Sequence, residues 1–172
     1  MFHGVIPARY AASRLPGKPL LPIAGRPLIQ WVWDSARASG AGSVILATDD
    51  ERIRAAALNF GAECQMTAPQ HASGTDRIAE VARLRGLAGE DIVVNLQGDE
   101  PLMPPAVIAA LAAALAERPA IDIATAVAPI ESLAQFLDPA CVKALRSLDG
   151  RALPYQVPSA RTTGRSPGSS VA

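Results

Sequence analysis

The sequence predicts an α/β domain with a doubly wound, mostly parallel sheet, and two observations carry that prediction. From the N-terminus to about Val127, short apolar runs alternate with longer segments of helical periodicity, the pattern of repeated βαβ units. The apolar runs are also unbroken instead of alternating with polar residues, which suits strands covered on both faces. A chain of 172 residues that is 49% hydrophobic is long and apolar enough to bury one substantial core.

The elements follow in order. Gly4-Val5-Ile6 reads as a first buried strand, closed by Pro7. Pro27 to Ser39 reads as a helix with proline in its first turn, with Leu28, Ile29, Val32 and Ala36 on one side and a stop at Gly40. Ser43 to Ala47 is a second strand, and Asp49 or Asp50 after it caps a helix that runs to Asn59 and ends at Gly61. Ala62 to Met66 is a weaker third strand. Thr75 to Arg85 gathers Ile78, Val81 and Ala82 on one helical face and stops at Gly86, with Ser73 or Thr75 read as its N-cap. Asp91 to Leu96 is the strongest strand, Pro104 to Glu117 the clearest helix, and Ile121 to Val127 is expected as a fifth strand. Beyond Pro129 the pattern changes: Val142–Ser147 and Arg151–Leu153 flank Asp149-Gly150, a hairpin signal. Pro154 to Ala172 is rich in Pro, Ser, Thr and Gly, holds no acid, and is expected to be a disordered tail.

Composition narrows the function. Sixteen basic and sixteen acidic side chains cancel, so no global field favours nucleic acid or an anionic membrane, and an anionic ligand needs a local site. The start lacks the basic and apolar regions of a signal peptide, and the most apolar stretch, Pro104 to Ala116, is too short to span a bilayer. Cys64 and Cys141 stand far apart with no metal-type spacing, as expected of two thiols in a reducing cytoplasm.

Ligands of open α/β sheets sit beyond the carboxyl ends of strands, which singles out two segments. Pro7 to Leu20 follows the first strand and carries Arg9, Arg14 and Lys18 on a loop containing Gly and Pro. Arginine forks and a lysine point charge suit a polyphosphate, although the same residues also fit an exposed basic loop. The loop is neither G-x-G-x-x-G nor Walker A, which argues against a dinucleotide oxidoreductase and a P-loop NTPase. Asn95 to Pro101 follows the strongest strand; Asp99 suits a hard cation such as Mg²⁺ and Gly98 a close backbone approach, or the segment is a capped turn. A third stretch, His71 to Arg77, opens a helix. His71 has no second ligand at metal spacing, and Trp31 and Trp33 read as core or interface residues.

Taken together, these blocks resemble the 3-deoxy-manno-octulosonate (Kdo) cytidylyltransferase family, the CMP-Kdo synthetases of lipopolysaccharide synthesis. The opening Ile6 to Leu20 is similar to the family's N-terminal signature. Ala47 to Asp50, His71 to Arg77, Asn95 to Pro101, and Asp138-Pro139 with Val142-Lys143 follow in the family's order. The resemblance implies a Rossmann-like nucleotidyltransferase fold and transfer of CMP from CTP to the anomeric hydroxyl of Kdo. It implies that Arg9, Arg14 and Lys18 grip the triphosphate, with Lys18 and Asp99 catalytic and Asp99 holding Mg²⁺. By the same resemblance Gln97 meets Kdo, and Ser73 and Arg77 lie beside the nucleotide. The family further implies a cytoplasmic homodimer. The similarity covers residues 2–153, taken as one nucleotidyltransferase domain, and the tail 154–172 resembles none of the family's later segments. A second metal-binding aspartate of the family has no counterpart, so the expectation is a truncated member with impaired turnover. The alternatives are a CTP-binding remnant or regulatory module without turnover, or a cytidylyltransferase for a related sugar acid.

Overall fold

The computed structural model describes residues 1–11 and 15–153, which form two compact units, Met1–Ala126 and Val127 onward. The expected tail 154–172 lies outside the described residues.

The first unit is built on a four-stranded parallel sheet in the order β5-β4-β1-β6. These strands are β1 (Phe2–Ala8), β4 (Ser43–Thr48), β5 (Glu63–Met66) and β6 (Ile92–Asn95). Its helices are α1 (Leu28–Ala38), α2 (Glu51–Asn59), α3 (Gly74–Leu84) and α4 (Pro105–Ala116). A strand turns successive side chains to opposite faces, and both sets here are apolar. Ile6 and Leu46 pack with Leu28, Ile29 and Val32 of α1, Ile53 of α2 and Ile108 of α4. Val5, Ile45 and Ala47 pack on the other face with Ile78 and Val81 of α3. The unbroken apolar runs are therefore explained by two covered faces. Burying a side chain such as Ile6, Ile29 or Leu46 contributes about 1.5–3 kcal/mol.

The winding reverses once. Two crossovers carry the chain from β1 to β4 to β5 in one direction, and the third returns it past β1 to β6. The first two use α1 and α2 on one face, and the return uses α3 on the other, as right-handed crossovers require.

Ser73, not Thr75, caps α3. Its hydroxyl accepts from the Asp76 N–H at 3.1 Å, while the Asp76 carboxylate accepts from the Ser73 N–H at 3.0 Å, a reciprocal capping box. Asp50 is the residue that caps α2, accepting from the Arg52 N–H at 2.9 Å. Pro27 stands just before α1 and pairs with Pro22, in a small ribbon of β2 (Pro22–Ile23) and β3 (Arg26–Pro27) that the sequence did not announce.

The expected fifth strand over Ile121–Val127 is not a strand. Ile123 is 82% exposed, and no described segment runs beside this stretch to take its backbone hydrogen bonds. An apolar, β-branched run becomes a strand only when a ladder partner satisfies its N–H and C=O groups. In the second unit a short helix, α5 (Leu133–Leu137), is capped by Ser132. The expected hairpin forms there too, with β7 (Leu145–Arg146) antiparallel to β8 (Ala152–Leu153).

Arg77 lies fully buried at the foot of α3. Its Nη1 donates to the Thr67 hydroxyl, and its Nη2 lies 3.2 Å from Asp49 Oδ2, off the direction of a hydrogen bond. The Thr67 hydroxyl also donates to the Thr48 carbonyl at 3.2 Å, so it is Asp49 that would lose its counter-charge if the guanidinium were removed.

Two stability predictions follow from these contacts. Arg77→Met should lower unfolding free energy in urea by about 2 kcal/mol, because Asp49 loses its counter-charge in a largely dry site; an unchanged midpoint would contradict this. Ser73→Ala should cost about 1 kcal/mol at pH 7. The hydrogen bond from the Ser73 hydroxyl, and then that from its N–H, hold the Asp76 carboxyl below its ordinary value. The box is therefore intact above pH 4 and is lost as pH falls through that lowered value, so the cost of Ser73→Ala should shrink at pH 2–3.

Candidate functional site

The loops after β1 and β6 leave the sheet at the point where the winding reverses, and they part there to open a crevice. Within the first unit this crevice is a cleft of about 300 Å³. Pro7, Ala8 and Arg9 line it from the end of β1, and Lys18 and Pro19 from the following loop. Gln97, Gly98 and Asp99 close it from beyond β6, and Gly74 from the start of α3.

Two glycines make the geometry possible. Gly98 passes so close to β1 that a Cβ there would meet the Pro7 carbonyl oxygen at 2.9 Å and Ile29 Cδ1 at 3.1 Å. Only a residue without a side chain lets the two loops approach this closely. Gly17 adopts φ +73° and starts a single 3₁₀ turn, Lys18–Leu20. Its N–H donates to the Tyr10 carbonyl at 2.8 Å, which closes the base of the loop between them. The Tyr10 ring lies against Gly17 on one side and carries the Arg52 guanidinium 3.3 Å from its centroid. Arg52 is held by Asp50, whose carboxyl is kept below its usual range by the Arg52 hydrogen bonds. The loop base is thus tied to the N-terminus of α2 by a cation–π contact.

Inside the cleft, Lys18 Nζ donates to Asp99 Oδ2 at 2.6 Å, and both side chains remain well exposed, at 37% and 51%. The two residues stand 81 positions apart in sequence, so the fold brings them together. Arg9 directs one N–H to the His71 carbonyl at 2.5 Å and keeps its remaining donors. Gln97 is exposed on the opposite lip. Two cations against one carboxylate leave the lining net positive, as an anionic ligand requires.

Among the described residues no three His, Cys, Asp or Glu side chains gather to form a metal cage. Asp99 nonetheless suits Mg²⁺, because its Oδ1 makes no hydrogen bond to the described residues and it opens on the cleft. That ion takes one or two protein carboxylates and fills its remaining positions with phosphate oxygens and water.

Of the residues expected at the site, Arg9, Lys18, Gln97 and Asp99 meet in the cleft. Arg14 lies outside the described residues. Arg77 is turned away into the core, and the Ser73 side chain is spent on the capping box beside Gly74. Their contribution to this geometry is to fix α3. Sequence reasoning missed the support behind Arg9, the loop 67–73 with Glu80, because its members are scattered single residues with no motif spacing. The one available signal was the placement of His71 just before a capped helix.

Comparison with known proteins agrees with the fold. A family described as cytidylyltransferase matches residues 3–160, running past Leu153, where the resemblance was expected to stop. A 3-deoxy-manno-octulosonate cytidylyltransferase of Pseudomonas fluorescens is 54% identical over 90% of this chain. One from Cellvibrio japonicus is 55% identical over 88% of it. The chain spans only 61% and 60% of the lengths of these two relatives. Among solved structures, a CMP:2-keto-3-deoxy-manno-octonic acid synthetase complexed with CTP superposes on 96% of this chain and 69% of its own, with a TM-score of 0.81 and 38% identity. A nucleotidyl transferase from Methanothermobacter, 22% identical with a TM-score of 0.56, shares the fold. The architecture and a match over nearly the whole chain place this protein in the cytidylyltransferase family.

Proposed function

We propose that the protein transfers CMP from CTP to the anomeric hydroxyl of Kdo, giving CMP-Kdo and pyrophosphate, with Mg²⁺ as cofactor. The observation that carries this reading is the meeting of Arg9, Lys18, Gln97 and Asp99 in one cleft at the switch point of the sheet. Its support from outside is the 54% and 53% identity to two enzymes named for that reaction.

The chemistry matches the residues. The sugar hydroxyl attacks the α-phosphorus and releases its proton to solvent, the bond to the β-phosphate breaks, and pyrophosphate leaves with the accumulated charge. Such transfers depend on positioning and on neutralising charge as it moves to the leaving group. Arg9 presents a planar fork to the phosphates and Lys18 a mobile point charge. In this reading Arg14, on the same loop, adds a third cation, and Gln97 hydrogen-bonds the sugar. Ser73 and Arg77 act from behind, by fixing the start of α3. Held at Asp99, Mg²⁺ supplies Lewis-acid neutralisation of phosphate oxygens.

The reading extends to location and assembly. The whole protein works in the cytoplasm as a homodimer, without nucleic acid or membrane. Free Cys64 and Cys141 agree with a reducing compartment, and none of the described helices is long and apolar enough to cross a membrane.

Pyrophosphate release by the 172-residue chain, given CTP, Kdo and Mg²⁺, tests the proposal. Release should require all three, and Asp99→Asn should reduce it by about 100-fold or more while leaving the melting temperature unchanged. Release without Kdo, or release indifferent to Asp99, would overturn the reading. Mg²⁺-dependent CTP binding with no release would assign the chain to the second reading, a nucleotide-binding module. Gly98→Ala should weaken CTP binding by about tenfold through displacement of the Gln97–Asp99 turn, which calorimetric titration would detect; equal affinity would mean that the turn tolerates the extra carbon.

A further inference from the structure

Arg9 does not reach its place in the cleft unaided. Its guanidinium is held by the carbonyl of His71, in the middle of the loop 67–73 that joins β5 to α3. A single backbone carbonyl on a seven-residue connection is a weak anchor unless the connection itself is fixed.

It is fixed at three points. At its start, Thr67 donates from its N–H to the Thr48 carbonyl at 2.9 Å, and its hydroxyl receives the buried Arg77 Nη1. At its end, the Ser73 capping box holds the turn into α3. In its middle, one oxygen of Glu80, Oε2, accepts from the Ala68 N–H at 2.9 Å and from His71 Nε2. A carboxylate only accepts, so this contact places a proton on Nε2 of the imidazole. Both side chains are mostly buried, at 17% and 14% exposure, so water competes poorly for the contact. The same two hydrogen bonds, that from His71 first, keep the Glu80 carboxyl below its ordinary range. Glu80 lies outside the cleft lining, two turns along α3 from the cap, where an exposed glutamate would be expected to face solvent.

We propose that Glu80 is a positioning residue for the cleft: by gripping His71 and the Ala68 amide together, it fixes the carbonyl that aims the Arg9 guanidinium at the bound polyphosphate. The chain of contacts runs from a helix side chain to an imidazole, through that residue's own backbone to its carbonyl, and from there to a cation of the cleft. The polyphosphate in this statement rests on the nucleotide reading above; the positioning of Arg9 does not.

The test joins side-chain ¹⁵N NMR of the Arg9 guanidinium with calorimetric titration of CTP in the presence of Mg²⁺. In Glu80→Ala, which removes the oxygen that both donors share, the Arg9 signal should move toward the position of free arginine, and CTP should bind roughly three- to tenfold more weakly. In an Arg9→Ala background, Glu80→Ala should weaken CTP binding no further, because the group it positions is gone. A purely structural role for Glu80 predicts the opposite, an equal loss in both backgrounds, and that result would overturn the proposal. So would an Arg9 signal that is unmoved by Glu80→Ala. His71→Ala keeps the carbonyl but loses the grip, and it should reproduce both effects if Glu80→Ala fails to fold. Should Arg9→Ala bind CTP as tightly as the parent, the nucleotide reading falls, and the Arg9 signal still decides the positioning.

Discussion

The arrangement depends on strand β1 pairing in parallel with a neighbour on each side, reached by crossovers that run in opposite directions. No loop at the carboxyl end can bridge such a strand to both neighbours at once, so the chain must part there. The parting is narrow because Gly98 lets the β6 loop lie against the Pro7 carbonyl. Everything chemical in the protein stands on the rims of that gap. Arg9 and Lys18 come from the β1 side, Gln97 and Asp99 from the β6 side, and α3 from below. The helices that bury the two apolar faces do the remaining work of keeping β1 in the middle.

Much of this could be read from residues alone. The unbroken runs Gly4–Ile6 and Ser43–Ala47 became buried parallel strands, because each has helices on both sides, and Asp91–Leu96 became the half-buried strand β6 at the end of the sheet, with Asp91 and Asn95 exposed. Helix ends marked by Gly40, Gly61 and Gly86 fell where expected. The failure at Ile121–Val127 has a physical cause: composition reports a liking for strand, but a ladder needs a neighbour, and neighbours are set by the whole fold. Of the two candidate caps, Ser73 takes the role because Asp76 sits three residues after it and can return the hydrogen bond.

The site was legible in a different way. Arg9, Lys18 and Asp99 stood out because they follow strands that had already been recognised, Gln97 was pointed to by the family resemblance alone, and the sheet gathered all four as strand order dictates. Arg77 shows where a linear reading ends. The family resemblance set it beside the nucleotide, and nothing in the linear pattern announced its burial against Asp49 and Thr67, which depends on the packing of α3 on β4. Glu80 is the converse case, an ordinary helix-surface residue in sequence that the fold turns inward to an imidazole.

The ion pair across the mouth of the cleft has a consequence for the order in which the site fills. With Lys18 and Asp99 compensating each other, a cation arriving alone meets a carboxylate already neutralised, whereas an anion arriving alone still finds the unspent donors of Arg9. Only a ligand bringing both signs together satisfies each partner as it separates them. An exposed pair of this kind is worth no more than about 1 kcal/mol, so it biases admission without blocking it. By reciprocity, whatever help the metal gives the anion the anion returns to the metal. Under the proposed function, the pair therefore favours a metal-bound polyanion over the bare metal.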